Sequence, residues 1–217
     1  MNIIEPCCAE RQIGLLLKEN RGRAILFQTN GDMTLQKWMK ATMLMAGDRP
    51  RTLTIAVPVF TEKMMNTVGK FLRLGWVERL RLMTTDPLTP EMAHLLAEKT
   101  ECDAAVLATH TELAADASIP DSLLMFTGPD GTVIIQGPMP DTITPRLCLY
   151  AGIFGRTEGI AIRSVTDAWE ARFRSRRYDW PAATKTAVPK ASASNEEKKT
   201  RTRKTKKADE KPTEEMA

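Results

Sequence analysis

The side chain with the most chemical promise in this 217-residue sequence is His110. It follows the apolar run Ala104-Ala105-Val106-Leu107-Ala108-Thr109, which reads as a central parallel strand. A histidine at the end of such a strand sits where ligands of open α/β sheets bind, and can serve as base or nucleophile. Glu112 stands two residues on, with Asp116 and Asp121 after it. The plainer reading is a polar residue that merely closes a strand. His94, between Ala93 and Leu95 in a helical pattern, reads as a solvent-facing residue without a role. Cys7, Cys8, Cys102 and Cys148 show no two-residue spacing of a zinc knuckle or redox motif, and with two histidines in the chain no metal site is expected. They read as reduced thiols of a cytoplasmic protein. No Gly-Lys-Ser/Thr phosphate loop, Gly-x-Gly-x-x-Gly turn or Gly-x-Ser-x-Gly elbow is present, and no cofactor is indicated.

A second feature is electrostatic. Lys198, Lys199, Arg201, Arg203, Lys204, Lys206 and Lys207 place seven cations in ten residues. Such a run neutralises phosphates on DNA or RNA in a weak, salt-sensitive and sequence-blind way. Glu196, Glu197, Asp209, Glu210, Glu214 and Glu215 flank it, and no aromatic residue is interleaved for base stacking, so a purely solubilising tail is the competing reading. Ten basic and six acidic residues lie from Pro181 onward, which leaves 21 of each sign before it. The net charge of +4 therefore belongs to the tail.

The elements that would position these residues follow from hydrophobic period. Ala9, Ile13, Leu16 and Leu17 recur at helical spacing, and residues 20 to 22 end that helix. Residues 24 to 27 read as a strand, after which Asp32 is placed to cap a helix that buries Leu35, Trp38, Met39, Thr42 and Met43 and closes at Gly47. A strand over 53 to 57, a helix capped by Thr61 and ended by Gly75, a strand over 77 to 83 and a helix opened by Thr89-Pro90-Glu91 come next. Alternating strands and helices predict right-handed crossovers and a parallel sheet. After residue 110 the pattern changes to a hairpin, 123 to 127 and 132 to 136 about Gly128-Pro129-Asp130-Gly131. Strands are predicted over 147 to 151 and 159 to 163, then a helix with Val165, Ala168, Trp169, Arg172 and Phe173 on one side. The expected fold is α/β: a mixed sheet, parallel in its first half and antiparallel in its second, with helices on both faces, in one domain over residues 1–180. From Pro181 to residue 217 a Lys/Arg/Glu-rich composition has little to bury and predicts disorder. The start, Met1 to Pro6, does not read as a signal peptide, and no stretch is long and apolar enough to span a membrane.

The order of elements over roughly residues 24 to 180 resembles the phospholipase D-like superfamily of lipases, nucleases and inactive relatives. Residues 123 to 137, ending in Gly137, look like that family's hairpin and following glycine; Gly155-Arg156-Thr157-Glu158-Gly159 is similar to its later glutamate, and Ala168-Trp169-Glu170-Ala171-Arg172-Phe173 to its closing helix. The resemblance implies a phosphodiesterase site with a His and a Lys two residues apart and a Gly-Ser-x-Asn, and, if active, pairing of two copies as a homodimer. Here the first slot reads Pro120-Asp121-Ser122-Leu123-Leu124 and the second Gly137-Pro138-Met139-Pro140. Glu158 alone matches, and His110-Thr111-Glu112 offers a carboxylate where a phosphate-binding cation is required.

Three readings follow. The preferred one is a non-catalytic binding protein with a degenerate domain of this type, associated with DNA or RNA through its tail. The second is a phosphodiesterase or nuclease whose rearranged site uses His110 and Glu158, with Glu112 a further candidate, which requires His110 and Glu158 within a few ångströms of each other. The third is an interaction module with no nucleic-acid role.

Overall fold

The computed structural model describes residues 2–3, 9–46, 51–119, 121–143 and 146–181, all within a compact unit covering Met1–Thr184. The expectations for Cys7, Cys8, Gly47 and the basic tail lie outside the described residues.

The chain starts with β1 (Asn2–Ile3), α1 (Ala9–Glu19), β2 (Ile25–Thr29), α2 (Leu35–Ala46), β3 (Thr52–Ala56), α3 (Glu62–Arg73), β4 (Arg79–Thr84) and α4 (Pro90–Thr100). It goes on through α5 (Ala104–His110), β5 (Thr111–Ala115), β6 (Leu123–Gly128), β7 (Gly131–Gln136), β8 (Cys148–Gly155), α6 (Ile160–Ser175) and β9 (Arg177–Tyr178). One sheet runs β1-β2-β8-β7-β6-β3-β4-β5-β9. β3, β4 and β5 are parallel neighbours, whereas β2, β8, β7, β6 and β3 form an antiparallel succession. The sheet is thus mixed, but the first long strand does not join its successors: the hairpin and β8 stand between β2 and β3.

Local chemistry explains most boundaries. Thr61 and Thr89 accept the Met64 and Met92 amides as N-caps, and Pro90 opens α4 where a missing N–H costs nothing. Alternation along each strand splits the buried side chains into two cores. Leu53, Ile55, Leu80, Leu82, Leu124, Phe126, Val133 and Ile135 face α1 to α5, together with Trp38 and Phe71. Met83, Ala114, Met125, Ile134 and Ile153 face α6, which supplies Ile162 and Phe173.

Three local expectations are overturned. Residues 104 to 110 form a helix, not a strand: Asp103 caps it by accepting the Ala105 amide, Ala105 and Val106 are exposed, and within it only Leu107 is buried. Alanine-rich runs favour helix, and one buried position per turn is all this helix must supply. The strand expected there is displaced to Thr111–Ala115. Residues 160 to 163 likewise open α6 rather than form a strand, with Ile162 in the core and Ile160 fully exposed to solvent. Asp32 does not cap α2: the Thr34 hydroxyl and carbonyl accept the amides of Lys37 and Trp38.

Candidate functional site

Parallel β3, β4 and β5 end at one edge of the sheet, and β6 starts and β7 ends at the same edge, since Leu123 pairs with Ala56 and with Gln136. This rim is where a ligand of such a sheet would be sought. It is filled by the chain itself. The Gly137 amide donates to the Ser122 carbonyl at 3.0 Å, the Leu35 amide to the Pro140 carbonyl at 3.0 Å, and the Tyr150 hydroxyl to the Pro138 carbonyl at 2.7 Å. Met139 is thereby held in the main core, to which Trp38 and Tyr150 also belong, while Ser122 and Leu123 are buried. Gly137 is required: its φ of +150° disfavours side chains, and a Cβ would stand 2.4 Å from the Tyr150 ring. Tyr150 stacks on Phe27 and tilts against Trp38, and burial pushes its phenol up to about 12.

The sequence-predicted residues lie elsewhere and apart. His110 ends α5 as an exposed residue immediately before β5, not at the outgoing end of a parallel strand. Glu158 is exposed just beyond β8, so it sits at the edge opposite the rim, one strand length from Cys148 where β8 begins. β4, β3, β6 and β7 separate β5 from β8. At about 4.8 Å per step, five steps put the strands that carry His110 and Glu158 roughly 24 Å apart. A shared cleft for that pair is therefore ruled out.

Glu112 is engaged in a charge network. Arg81 donates Nε to Glu112 at 2.8 Å and Nη1 to Glu170 of α6 at 2.7 Å, and Glu170 also accepts from Arg174 at 2.6 Å. Burial opposes the Arg81 charge, but the bond to Glu170 and the two carboxylates outweigh it and raise its pKa; the bond to Arg81 in turn lowers that of Glu170. Asp116 forms a second clamp. Its carboxylate accepts from Arg172 Nε at 2.6 Å and from the Ser118 amide and hydroxyl at 2.9 and 2.7 Å. The Arg172 bond, then those from Ser118, hold its pKa far below the ordinary carboxylate range. Both networks fasten α6 to the sheet, which accounts for Glu112 and Asp116 structurally.

Asp121 is exposed at the rim, and His94 is exposed on α4. Cys102 and Cys148 are unpaired thiols, one exposed and one buried. Among the described residues no three His, Cys, Asp or Glu side chains gather where they could hold a metal ion, and no helix is long and apolar enough to cross a membrane.

Comparison with known proteins assigns no family. No protein-family model matches the chain, and no curated protein matches it.

The cations Lys18, Arg21 and Arg156, which sequence reasoning did not single out, line an open cleft of about 970 Å3 at the edge opposite the rim. Arg156 lies 135 residues or more from Lys18 and Arg21, which leaves no local signal; only the pairing of β2 with β8 brings those ends together.

Proposed function

We propose that this chain is a non-catalytic binding protein, built on a degenerate phospholipase D-like domain and associated with DNA or RNA through its basic tail. The observation that carries the reading is the plugged rim. Where the resemblance requires a histidine, a lysine, a serine and an asparagine around a phosphate, Met139 is packed into the main core, Leu123 into the core under α6, and Tyr150 fastens the Pro138 carbonyl. Filling this space with apolar side chains excludes water and anions alike, since an ionic ligand would lose its hydration without gaining a partner. The mixed α/β sheet, with the hairpin next to its parallel strands, is compatible with the resemblance. The seven cations between Lys198 and Lys207 supply the affinity for phosphates.

Filter binding of the full chain to single- and double-stranded DNA and to RNA tests this. Affinity should be sequence-blind and fall with salt, with a log–log slope no steeper than about −6 on duplex DNA if all seven tail cations engage. Replacing these seven by glutamine in the full chain should remove most of it. Absence of affinity for any of the three at low salt would end the nucleic-acid part of the reading and leave a protein-interaction module. Hydrolysis of a phosphodiester substrate that survives repurification would end the non-catalytic part.

A further inference from the structure

The edge opposite the rim carries a cleft that the tail reading leaves unexplained. Before Pro181 the chain has equal numbers of acids and bases, so a local excess of cations there is not a by-product of overall charge. Lys18 lies in the last turn of α1, Arg21 in the turn after it, and Arg156 just past β8. Behind the β6–β7 turn, the Arg51 side chain is almost wholly buried, with its guanidinium 4.0 Å from the Asp130 carboxylate. Three cations, Lys18, Arg21 and Arg156, therefore line the cleft with two carboxylates, Asp130 and Glu158, and Asp130 already has the buried Arg51 beside it. Gly128 makes the arrangement possible, because a Cβ there would fall 1.5 Å from Arg51 Nη1.

Arg21 is held in a particular attitude. Gly22, at φ +80°, turns the chain after α1, and its amide donates to the Phe154 carbonyl at 2.7 Å. The Arg21 guanidinium then lies over the Phe154 ring at 5.0 Å and donates from Nη2 to the Asp130 carbonyl at 2.9 Å. Phe154 is buried and Arg21 exposed, so the guanidinium stays accessible from solvent. A planar cation supported by a ring is a stacking platform for a nucleobase as well as a donor for phosphate. The cleft, at about 970 Å3, is far larger than a bare phosphate needs and falls in the range of small-ligand sites.

We infer that this cleft binds a nucleotide, with the base on the Arg21 plane and the phosphates toward Lys18 and Arg156. The site is separate from the tail and stands whether or not the tail binds nucleic acid. The nucleotide is either free or one link of a strand.

The test uses the full chain and adenosine diphosphate labelled fluorescently on the ribose, followed by anisotropy at low salt. Unlabelled adenosine diphosphate, inorganic phosphate and a short oligothymidylate serve as competitors. The labelled nucleotide should bind saturably. Arg21→Glu with Arg156→Glu should weaken it by about tenfold or more, the loss of two phosphate or stacking contacts at more than ~0.7 kcal/mol each. Arg21→Lys, which keeps charge but loses the plane, should weaken it less, and the chain with its seven tail cations replaced by glutamine should bind within about twofold of the original. Arg21→Glu also gives up the bond to the Asp130 carbonyl and the contact with Phe154, so a small drop in melting temperature is expected, and binding is measured well below it, where circular dichroism shows both variants folded. Displacement by oligothymidylate in the tail-neutral chain identifies a strand as the source, and its failure identifies a free nucleotide. No saturable binding, binding undiminished in the double variant, or inorganic phosphate competing as well as the diphosphate nucleotide would overturn the inference. Loss confined to the tail variant would overturn it too, while leaving the tail reading intact.

Discussion

Replacing Asp116 by asparagine should loosen α6 from the sheet by an amount that can be worked from its contacts. Asp116 is 5% exposed at the end of β5 and accepts three hydrogen bonds, one from the Arg172 guanidinium and two from Ser118. A charge-assisted bond contributes about 1.5–3 kcal/mol and a neutral one about 1. The Arg172 side chain is 31% exposed and Ser118 is exposed, so water recovers part of each loss. The low end applies, and the expected destabilisation is about 2–3 kcal/mol. For a unit of this size that corresponds to a Tm lower by roughly 5–10 °C. The sign of the pH dependence follows from the depressed carboxyl pKa of the folded state. The stabilisation is fully present above the unfolded value, near 3.9, and is lost as pH falls through the folded one. Urea unfolding followed by tryptophan fluorescence should therefore show a gap between the original and Asp116→Asn that is constant from about pH 5 to 8 and narrows below about pH 4. Trp169, 5.1 Å from the Arg172 guanidinium, gives the probe a local reporter. A gap below about 1 kcal/mol at neutral pH, or one unchanged down to about pH 3, would refute the assignment of this clamp.

Other outcomes follow from the same geometry. Gly131→Ala should cost at least about 2 kcal/mol in urea unfolding, because φ is +137° and the new Cβ would stand 2.3 Å from the Gly155 carbonyl oxygen. Phe126→Ala, at a position with no exposure, should cost about 3–5 kcal/mol in the same assay. Burial raises both phenols, Tyr150 to about 12, so ultraviolet titration of the folded chain should place phenolate formation above the ordinary midpoint near pH 10; stability should fall as pH rises above that point. His110→Ala should leave both the melting temperature and any nucleic-acid binding within error, since the side chain is exposed at the end of a short helix.

The sequence by itself determined the elements whose signals are local. Thr61, Thr89 with Pro90, and the Gly-Pro-Asp-Gly hairpin turn all act over a few residues, and the structure has caps and a turn at those positions. Alternation along 53 to 57 and 79 to 83 likewise needed no partner to be read, because one side of each strand must face a core. Short apolar runs carry no such mark. Ala104-Ala105-Val106-Leu107 suits a buried strand or a helix equally, and Asp103 as a cap, with Thr111–Ala115 beside β4, decided the matter. The candidate site was less legible than the fold. His110 and Glu158 were chosen for type and local position, but the distance between them depends on strand order, and β6, β7 and β8 enter the sheet between β2 and β3 through contacts far apart in sequence. The same long-range pairing brings Arg21 onto Phe154, Arg172 onto Asp116 and Met139 into the rim. Caps and alternation are properties of neighbouring residues; a cleft or a plug is a property of which distant strands share hydrogen bonds, and that only the tertiary structure decided.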